Sequence, residues 1–507
     1  MDSDKCVCDV LIVGSGPCGL ATAARLREKT PSALFSEAEH QRFHWLKSKH
    51  VNLLKRRPSD VNSIPETLNI KVIDATSSSW LGQWDNQFGS CGIPHLRSPM
   101  FFHPDPFDVD GMIAFAHNTG REKELMEING IVGKELSKHQ QKKLRNKKKP
   151  IEIDMRDFKD YYRPSTPLYR DYCESIIKRY SLQGMVSQEK CQMIDYNEVS
   201  ETFTVTSDSN TYVCPIVVIA CGPIGSINYD FPQFPHGSCH TTHLFNRVVP
   251  FPPTERKKTV VVVGGGLTSA QICHRLIESK KADKVYFVLR GDIKVKHFDF
   301  DLEWVTKYKN YLKSTFWMLD TDEERAEMIL KARNGGSVNP QYLKIIHDHE
   351  KSNKLVVLKN SKIAPSEWDG CQWNKVVVNE STTLPEPIDY IYYATGSRPD
   401  FNKIDFLANI RKKSPISTVC GFPCLTDDLE YNSNIPLYFL GRLASLKIGP
   451  ASANLEGARV GAERIASSIQ NRLEKLKRVE DRATVNSMMD LIESDNNWYG
   501  ILAQEVN

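Results

Sequence analysis

The chain of 507 residues is long enough for two or three cores, since a domain usually holds ~100–200 residues. Hydrophobic residues make up 40% and charged residues 25%, which excludes an intrinsically disordered chain because the apolar content can offset the entropy of ordering. The 66 basic and 62 acidic side chains leave a net charge of only +4, too weak a field to call for nucleic acid or an anionic membrane. The first predicted unit is a strand over 7–13, a glycine turn GSGPCG (14–19), a helix over 19–29 and a short strand over 33–36 ending at Glu37. An aromatic-rich segment from Phe43 to Phe115 reads as irregular, and KELSKHQQKKLRNKKK (134–149) as a solvated loop. A helical region, MRDFKDYYRPSTPLYRDYCESIIKRY, precedes the strands ETFTVTS and TYVCPIVVIACGP. A second glycine arm, TVVVVGGGLTSAQ, opens at 259, and its helix leads to the strand KVYFVLR. After RNGGSVNP (333–340) come a strand KLVVLKN, a strand and turn PIDYIYYATGSRPDF with Gly396, the closing strand IPLYFLGR and a helix from about 451.

The glycine spacing has a physical meaning. Gly14 permits the tight turn out of the strand, Gly16 lets the backbone approach a pyrophosphate, and Gly19 lets helix and strand pack closely, with Pro17 opening the helix. Glu37 then falls about where the second strand should present a carboxylate to a ribose hydroxyl. The second arm repeats the turn with Gly264, Gly266 and Ser269, but its following strand ends in Arg290. A guanidinium there suits a ribose carrying a 2′-phosphate, which a carboxylate would repel; the alternative is a solvated strand-end cation. These features assign FAD to the first arm and NADPH to the second.

The thirteen cysteines show no disulfide framework, and Cys18, Cys214 and Cys221 lie in apolar segments as small core residues. No apolar stretch approaches the ~20 residues of a membrane span and no signal segment opens the chain. A cytoplasmic protein is expected, with self-association left open.

The motifs GSGPCGL, FSEAEHQRFHW, MRDFKDYYR, VVVVGGGLTSAQ and YYATGSRPDF occur in an order and spacing that resembles the single-component FAD- and NADPH-dependent flavin monooxygenases, and among them the N-hydroxylating L-lysine and L-ornithine monooxygenases. The resemblance spans about 7–465 and implies an α/β fold of two Rossmann-like dinucleotide-binding domains, the second inserted in the first. Expected boundaries are 1–235 and 386–470 for the FAD domain, 236–385 for the NADPH domain and 471–507 for a helical tail. It implies an oxidoreductase that inserts one atom of O2 into a small nucleophile, an amine nitrogen first, through a flavin C4a-hydroperoxide. Gly14, Gly16, Pro17, Gly19 and Glu37 take the FAD role, and Gly264, Gly266, Leu267, Thr268 and Ser269 the NADPH role. Trp45, in FHW, and Trp84, in WLGQW, compete for the aromatic place beside the flavin. In HLRSPMFFHPDPFD the family's substrate lysine is missing, and Arg97 or His103 stands nearby; Asn454 precedes the last helix, whose N-terminus should face the flavin.

Other chemistries find less support. A disulfide reductase needs a short cysteine pair at the flavin, whereas Cys18 lies in the phosphate turn and Cys420 and Cys424 in a late loop. His236, His240 and His243 are spaced like ligands, but only Cys239 could complete them, so no metal is expected. A catalytically weak regulator or interaction protein of the same fold is the second function considered.

Overall fold

A computed structural model describes residues 5–28, 31, 39, 68–129, 131, 161–222, 225–227, 237–306, 308–379 and 382–477. Two largely parallel sheets organise them. The first begins with β1 (Val10–Val13), β2 (Ile70–Asp74), β3 (Val186–Gln188) and β4 (Ile216–Ile219). The second consists of β5 (Ser238–His240), β6 (Lys257–Val263), β7 (Ala282–Val288), β8 (Leu355–Leu358) and β9 (Tyr390–Tyr393). The chain then returns to the first sheet with β10 (Glu430–Asn432) and β11 (Ile435–Phe439).

The first sheet runs β10-β11-β4-β1-β2-β3, with β10 alone antiparallel; the second runs β5-β9-β6-β7-β8, all parallel. Every residue of β1 and β4 is buried, which is why their sequences, VLIV and IVVI, are unbroken apolar runs instead of alternating ones. The second unit is inserted in the first, as expected. Its entry and exit run side by side: Gly225–Ile227 pairs antiparallel with Ser397–Pro399, just after the left-handed turn at Gly396.

Seven helices matter for the site: α1 (Pro17–Arg27), α2 (Gly82–Cys91), α3 (Thr166–Arg179), α4 (Leu267–Glu278), α5 (Asp322–Arg333), α6 (Pro340–Lys351) and α7 (Leu455–Lys477). Helices α1 and α7 lie parallel, since Ala21 packs with Ala458 and Ala462 while Arg25, further along, pairs with Glu463. Both therefore start at the same edge of the first sheet.

Three expectations change. The neighbours of β1 are β2 and β4, so β2 takes the place beside β1 that the sequence suggested for 33–36; Ala33–Ser36 and Glu37 themselves fall outside the described residues. The boundary expected at 385 falls too early, because β9 pairs with β6 from Val260↔Tyr390 to Val263↔Tyr393. The run TYVCPIVVI splits at Pro215, which lacks the N–H a ladder needs: Thr211–Cys214 joins a separate four-stranded sheet and Ile216–Ile219 the first sheet.

Arg25 and Glu463 have side chains only 8% exposed. Arg25→Met alone is expected to cost about 3–5 kcal/mol in urea unfolding, by leaving a buried carboxylate unpaired. The double variant Arg25→Met, Glu463→Leu should recover most of that loss.

Candidate active site

The end of β1 makes the first cradle. Gly14 turns the chain at φ +114, and a Cβ there would stand 2.4 Å from the carbonyl oxygen of Ala220, whose N–H donates to the Val13 carbonyl at 2.8 Å. Only glycine meets both demands. A Cβ on Gly19 would fall 2.0 Å from the Gly14 carbonyl, so this glycine seats α1 directly on the turn. Gly16 is the opposite case: a Cβ there would meet nothing within 4 Å, and the backbone faces open space. With Gly16 as N-cap, no side chain caps α1, so its first N–H groups and positive end are open to an anion.

Asp74, the last residue of β2, holds this turn. Its Oδ2 accepts from the Ser15 N–H and Oγ at 2.8 and 2.9 Å, and its Oδ1 from the Thr76 N–H and Oγ1 at 2.8 and 2.6 Å. Asp74 thus fills the strand-end place expected of Glu37. The Leu81 N–H binds the Ser15 carbonyl at 2.9 Å, bringing the start of α2 against the turn. Trp84 follows on α2, half-buried and stacked on Phe88 at 3.8 Å; Trp45 lies outside the described residues.

The second cradle repeats the construction. Gly264 has φ +139, a Cβ there would stand 2.3 Å from the Ala394 carbonyl oxygen, and the Ala394 N–H donates to Val263 at 2.8 Å. Ser269 is fully buried in the place of the third glycine, so it packs the turn, while α4 starts at Leu267 after Gly266 without a side-chain cap. The open ends of α1 and α4 contrast with α3, α5 and α6, capped by Ser165, Thr321 and Asn339. Leu289 lies beside Gly265, where a Cβ would stand 3.7 Å from its Cδ2. The next residue, Arg290, is exposed and makes no ion pair among the described residues.

Sequence spacing missed a strap over this second turn. A Cβ on Gly336 would come within 2.9 Å of the Gly266 Cα and N, so the RNGGSV segment is pressed against the turn. Lys294 fixes the strap by donating from Nζ to the Asn334 carbonyl and Oδ1 at 2.8 and 2.9 Å. The paired glycines were the signal, legible only once Gly266 is known to face them.

The candidate substrate residues prove to be committed elsewhere. Arg97 donates to the carbonyls of Lys296, His297, Phe298 and Ser337, to Ser337 Oγ and to Asp299 Oδ1. It bolts the first unit to the second. His103 is fully buried; its Nδ1 accepts from the Asp105 N–H at 3.3 Å, so Nε2 carries the proton and donates to the Val109 carbonyl at 2.9 Å. Asp105 in turn binds Tyr172 Oη at 2.7 Å and Arg179 Nη1 at 2.8 Å. Asn454 caps α7, its Oδ1 accepting from the N–H of Glu456 at 3.0 Å and of Gly457 at 3.4 Å.

Two other arginines occupy the junction. Arg333 donates to the Pro450 carbonyl at 2.8 Å and Arg442 to Ser397 Oγ at 3.1 Å; neither has an ion pair among the described residues. Burial, reinforced by the charge of Arg333, lowers Arg442 to about 10. All thirteen cysteines are free, and burial pushes Cys18 up to about 12, a poor setting for a redox thiolate. His240 Nδ1 accepts from the Thr242 N–H as a helix cap, and His236 lies outside the described residues.

Burial holds His103 near 3 and His240 near 4, both below the ~6.5 of an unfolded imidazole. Between those values the unfolded chain binds more protons, so their contribution is complete above ~pH 6.5 and is lost on acidification, by about 1.4 kcal/mol per pH unit for each ring. The urea midpoint is expected to fall from pH 7 to pH 5, and less steeply in His103→Gln.

Comparison with known proteins places this geometry. Residues 158–398 match the profile of L-lysine 6-monooxygenase/L-ornithine 5-monooxygenase. Among solved structures, the chain is similar to ornithine N-hydroxylase of Kutzneria sp. 744, whose structure is described with reduced FAD, NADP+ and L-ornithine (TM-score 0.62, 16% identity, 92% of this chain and 100% of that one). It is also similar to the FAD-bound cadaverine monooxygenase of Erwinia amylovora (TM-score 0.60, 14% identity, 92% and 95%). L-lysine 6-monooxygenase of Pseudomonas syringae gives the same score (TM-score 0.60, 15% identity, 92% and 100%). No curated protein matches the chain. No helix among the described residues is long and apolar enough to cross a membrane. The chain thus shares the fold of these solved enzymes, two dinucleotide cradles with one unit inserted in the other, and the segment that matches the L-lysine 6-monooxygenase/L-ornithine 5-monooxygenase profile holds the second cradle.

Proposed function

We propose that this chain is an FAD-dependent, NADPH-using monooxygenase that hydroxylates an amine nitrogen of a small molecule with O2. The observation that carries this is the duplicated cradle: two left-handed glycines, Gly14 and Gly264, each leading into a helix with no side-chain cap. The profile match and the fold of the relatives favour the same activity.

The residues present fit both nucleotides. The open backbone at Gly16 and the first N–H groups of α1 would hold the FAD pyrophosphate, with Asp74 keeping the turn in shape. The uncapped start of α4 would hold the NADPH pyrophosphate, and Arg290 the 2′-phosphate. The strap at Gly336 would make the outer wall of that site. Bound there, the flavin and nicotinamide supply the redox chemistry by which one atom of O2 goes to a nucleophile and the other leaves as water. The chain's own part is to position and to exclude water: Arg97 closes the seam between the units, and the start of α7 lies level with the start of α1, turning its positive end toward the flavin side.

Substrate recognition departs from a simple lysine or ornithine site. With Arg97 and His103 engaged elsewhere, Arg333 and Arg442 stand at the junction without a carboxylate partner among the described residues. They would meet an anionic group on the substrate.

The test is a screen of primary amines and basic amino acids with the FAD-loaded chain, following NADPH oxidation, hydroxylamine formation and hydrogen peroxide release. One amine should give hydroxylated product in step with NADPH consumed; peroxide alone with every amine would contradict the proposal. Arg290→Ala is expected to raise the KM for NADPH by ~10-fold or more, the worth of one paired charge-assisted contact. Its KM for NADH should hardly change.

A further inference from the structure

A second cluster of chemically capable side chains lies outside both cradles, where α4 and α6 pack against each other on the second sheet. His274 Nδ1 stands 3.0 Å from His349 Nε2, with the rings 5.3 Å apart and tilted by 37°. Glu278 follows His274 by one helical turn on α4, and a ring nitrogen of each histidine and a Glu278 carboxylate oxygen lie within 4.8 Å of one another. His349 is only 9% exposed and Glu278 is exposed, so the group opens to water on its carboxylate side. Tyr342, one edge onto the His274 ring at 6.0 Å, helps fix that ring's plane.

The geometry points to a binding site for one divalent ion of the zinc type, held by His274 Nδ1, His349 Nε2 and the Glu278 carboxylate. Two imidazoles and a carboxylate with a fourth position left to water is an N,N,O set that suits Zn2+, whereas Mg2+ and Ca2+ prefer all-oxygen shells. Two nitrogens on a tetrahedral ion, each ~2.0–2.1 Å from it, stand ~3.3 Å apart. The nitrogens here need to separate by only a few tenths of an ångström. Their mutual hydrogen bond is no obstacle, because a neutral imidazole can carry its proton on either nitrogen and moving it to the outer one frees both facing lone pairs.

The position also gives the ion something to act on. Helix α4 begins just after Gly266, and α6 begins just after the strap whose Gly336 presses on Gly266. An ion joining α4 to α6 therefore ties together the two walls of the second cradle from behind.

The test uses the full-length, FAD-loaded chain stripped with a chelator, then titrated with Zn2+ against a chromophoric chelator, with Co2+ absorption as a report on geometry. One Zn2+ per chain is expected to survive gel filtration and to raise the melting temperature, and Co2+ to give the intense visible bands of a four-coordinate site. Glu278→Gln, a change at an exposed side chain, should weaken binding by ~10-fold or more, since even outer partners of a metal ligand are worth 10–100-fold. The double variant His274→Gln, His349→Gln should hold no ion while keeping its FAD; should it fail to fold, Glu278→Gln decides alone. Failure of the wild-type chain to retain Zn2+, or unchanged affinity in these variants, would overturn the proposal.

Discussion

The structure depends on a steric constraint met twice. Where the central strand of each sheet ends, the chain must cross within contact distance of the carbonyl that follows the neighbouring strand, Ala220 beside Gly14 and Ala394 beside Gly264. A side chain at either glycine would strike that carbonyl, and the left-handed φ would strain it further. The crossing lets the next helix begin directly over the strand end with its N–H groups unspent. Helices α3, α5 and α6 spend a serine, a threonine and an asparagine on those groups; leaving them open costs stability unless an anion comes to meet them.

Two such cradles make one catalyst only if they are held face to face, and the seam between them is unusually rich in arginine. Arg97 reaches across to a run of carbonyls, Arg333 reaches back to Pro450, and Lys313 pairs with Glu456 at the start of α7. On the other flank, Gln83 of α2 binds the Phe245 carbonyl and Arg247 binds Asn86. Hydrogen bonds from charged donors to backbone carbonyls fix orientation without demanding a carboxylate for every guanidinium. That economy leaves Arg333 and Arg442 with positive charge in reserve at the junction.

The glycine turns were legible in the sequence because their physics is local: strand, turn and helix occupy adjacent residues. The insertion of the second unit could be read from the repeat of that turn and from the two buried strands that run into glycine on either side of it. The strand-end acid could not be located by spacing, because the stretch between Glu28 and Leu68 separates α1 from β2 and carries Asp74 far beyond the usual ~20 residues. The apolar run ending in acid, IKVID, was the missed signal. Arg97 and His103 have the right chemistry for a substrate site, but their roles are set by partners no local pattern reveals: carbonyls about two hundred positions away for Arg97, and a buried turn with Asp105 for His103. The same limit hid the pairing of His274 with His349.

The central claim is that a reductant in the later cradle delivers electrons to a flavin in the earlier one. Anaerobic mixing of the FAD-loaded chain with NADPH, followed by visible absorbance, tests it without knowledge of the substrate. The account predicts that the flavin band bleaches in a single turnover with one NADP+ formed per flavin. A bound flavin that dithionite reduces but NADPH leaves oxidised would contradict it.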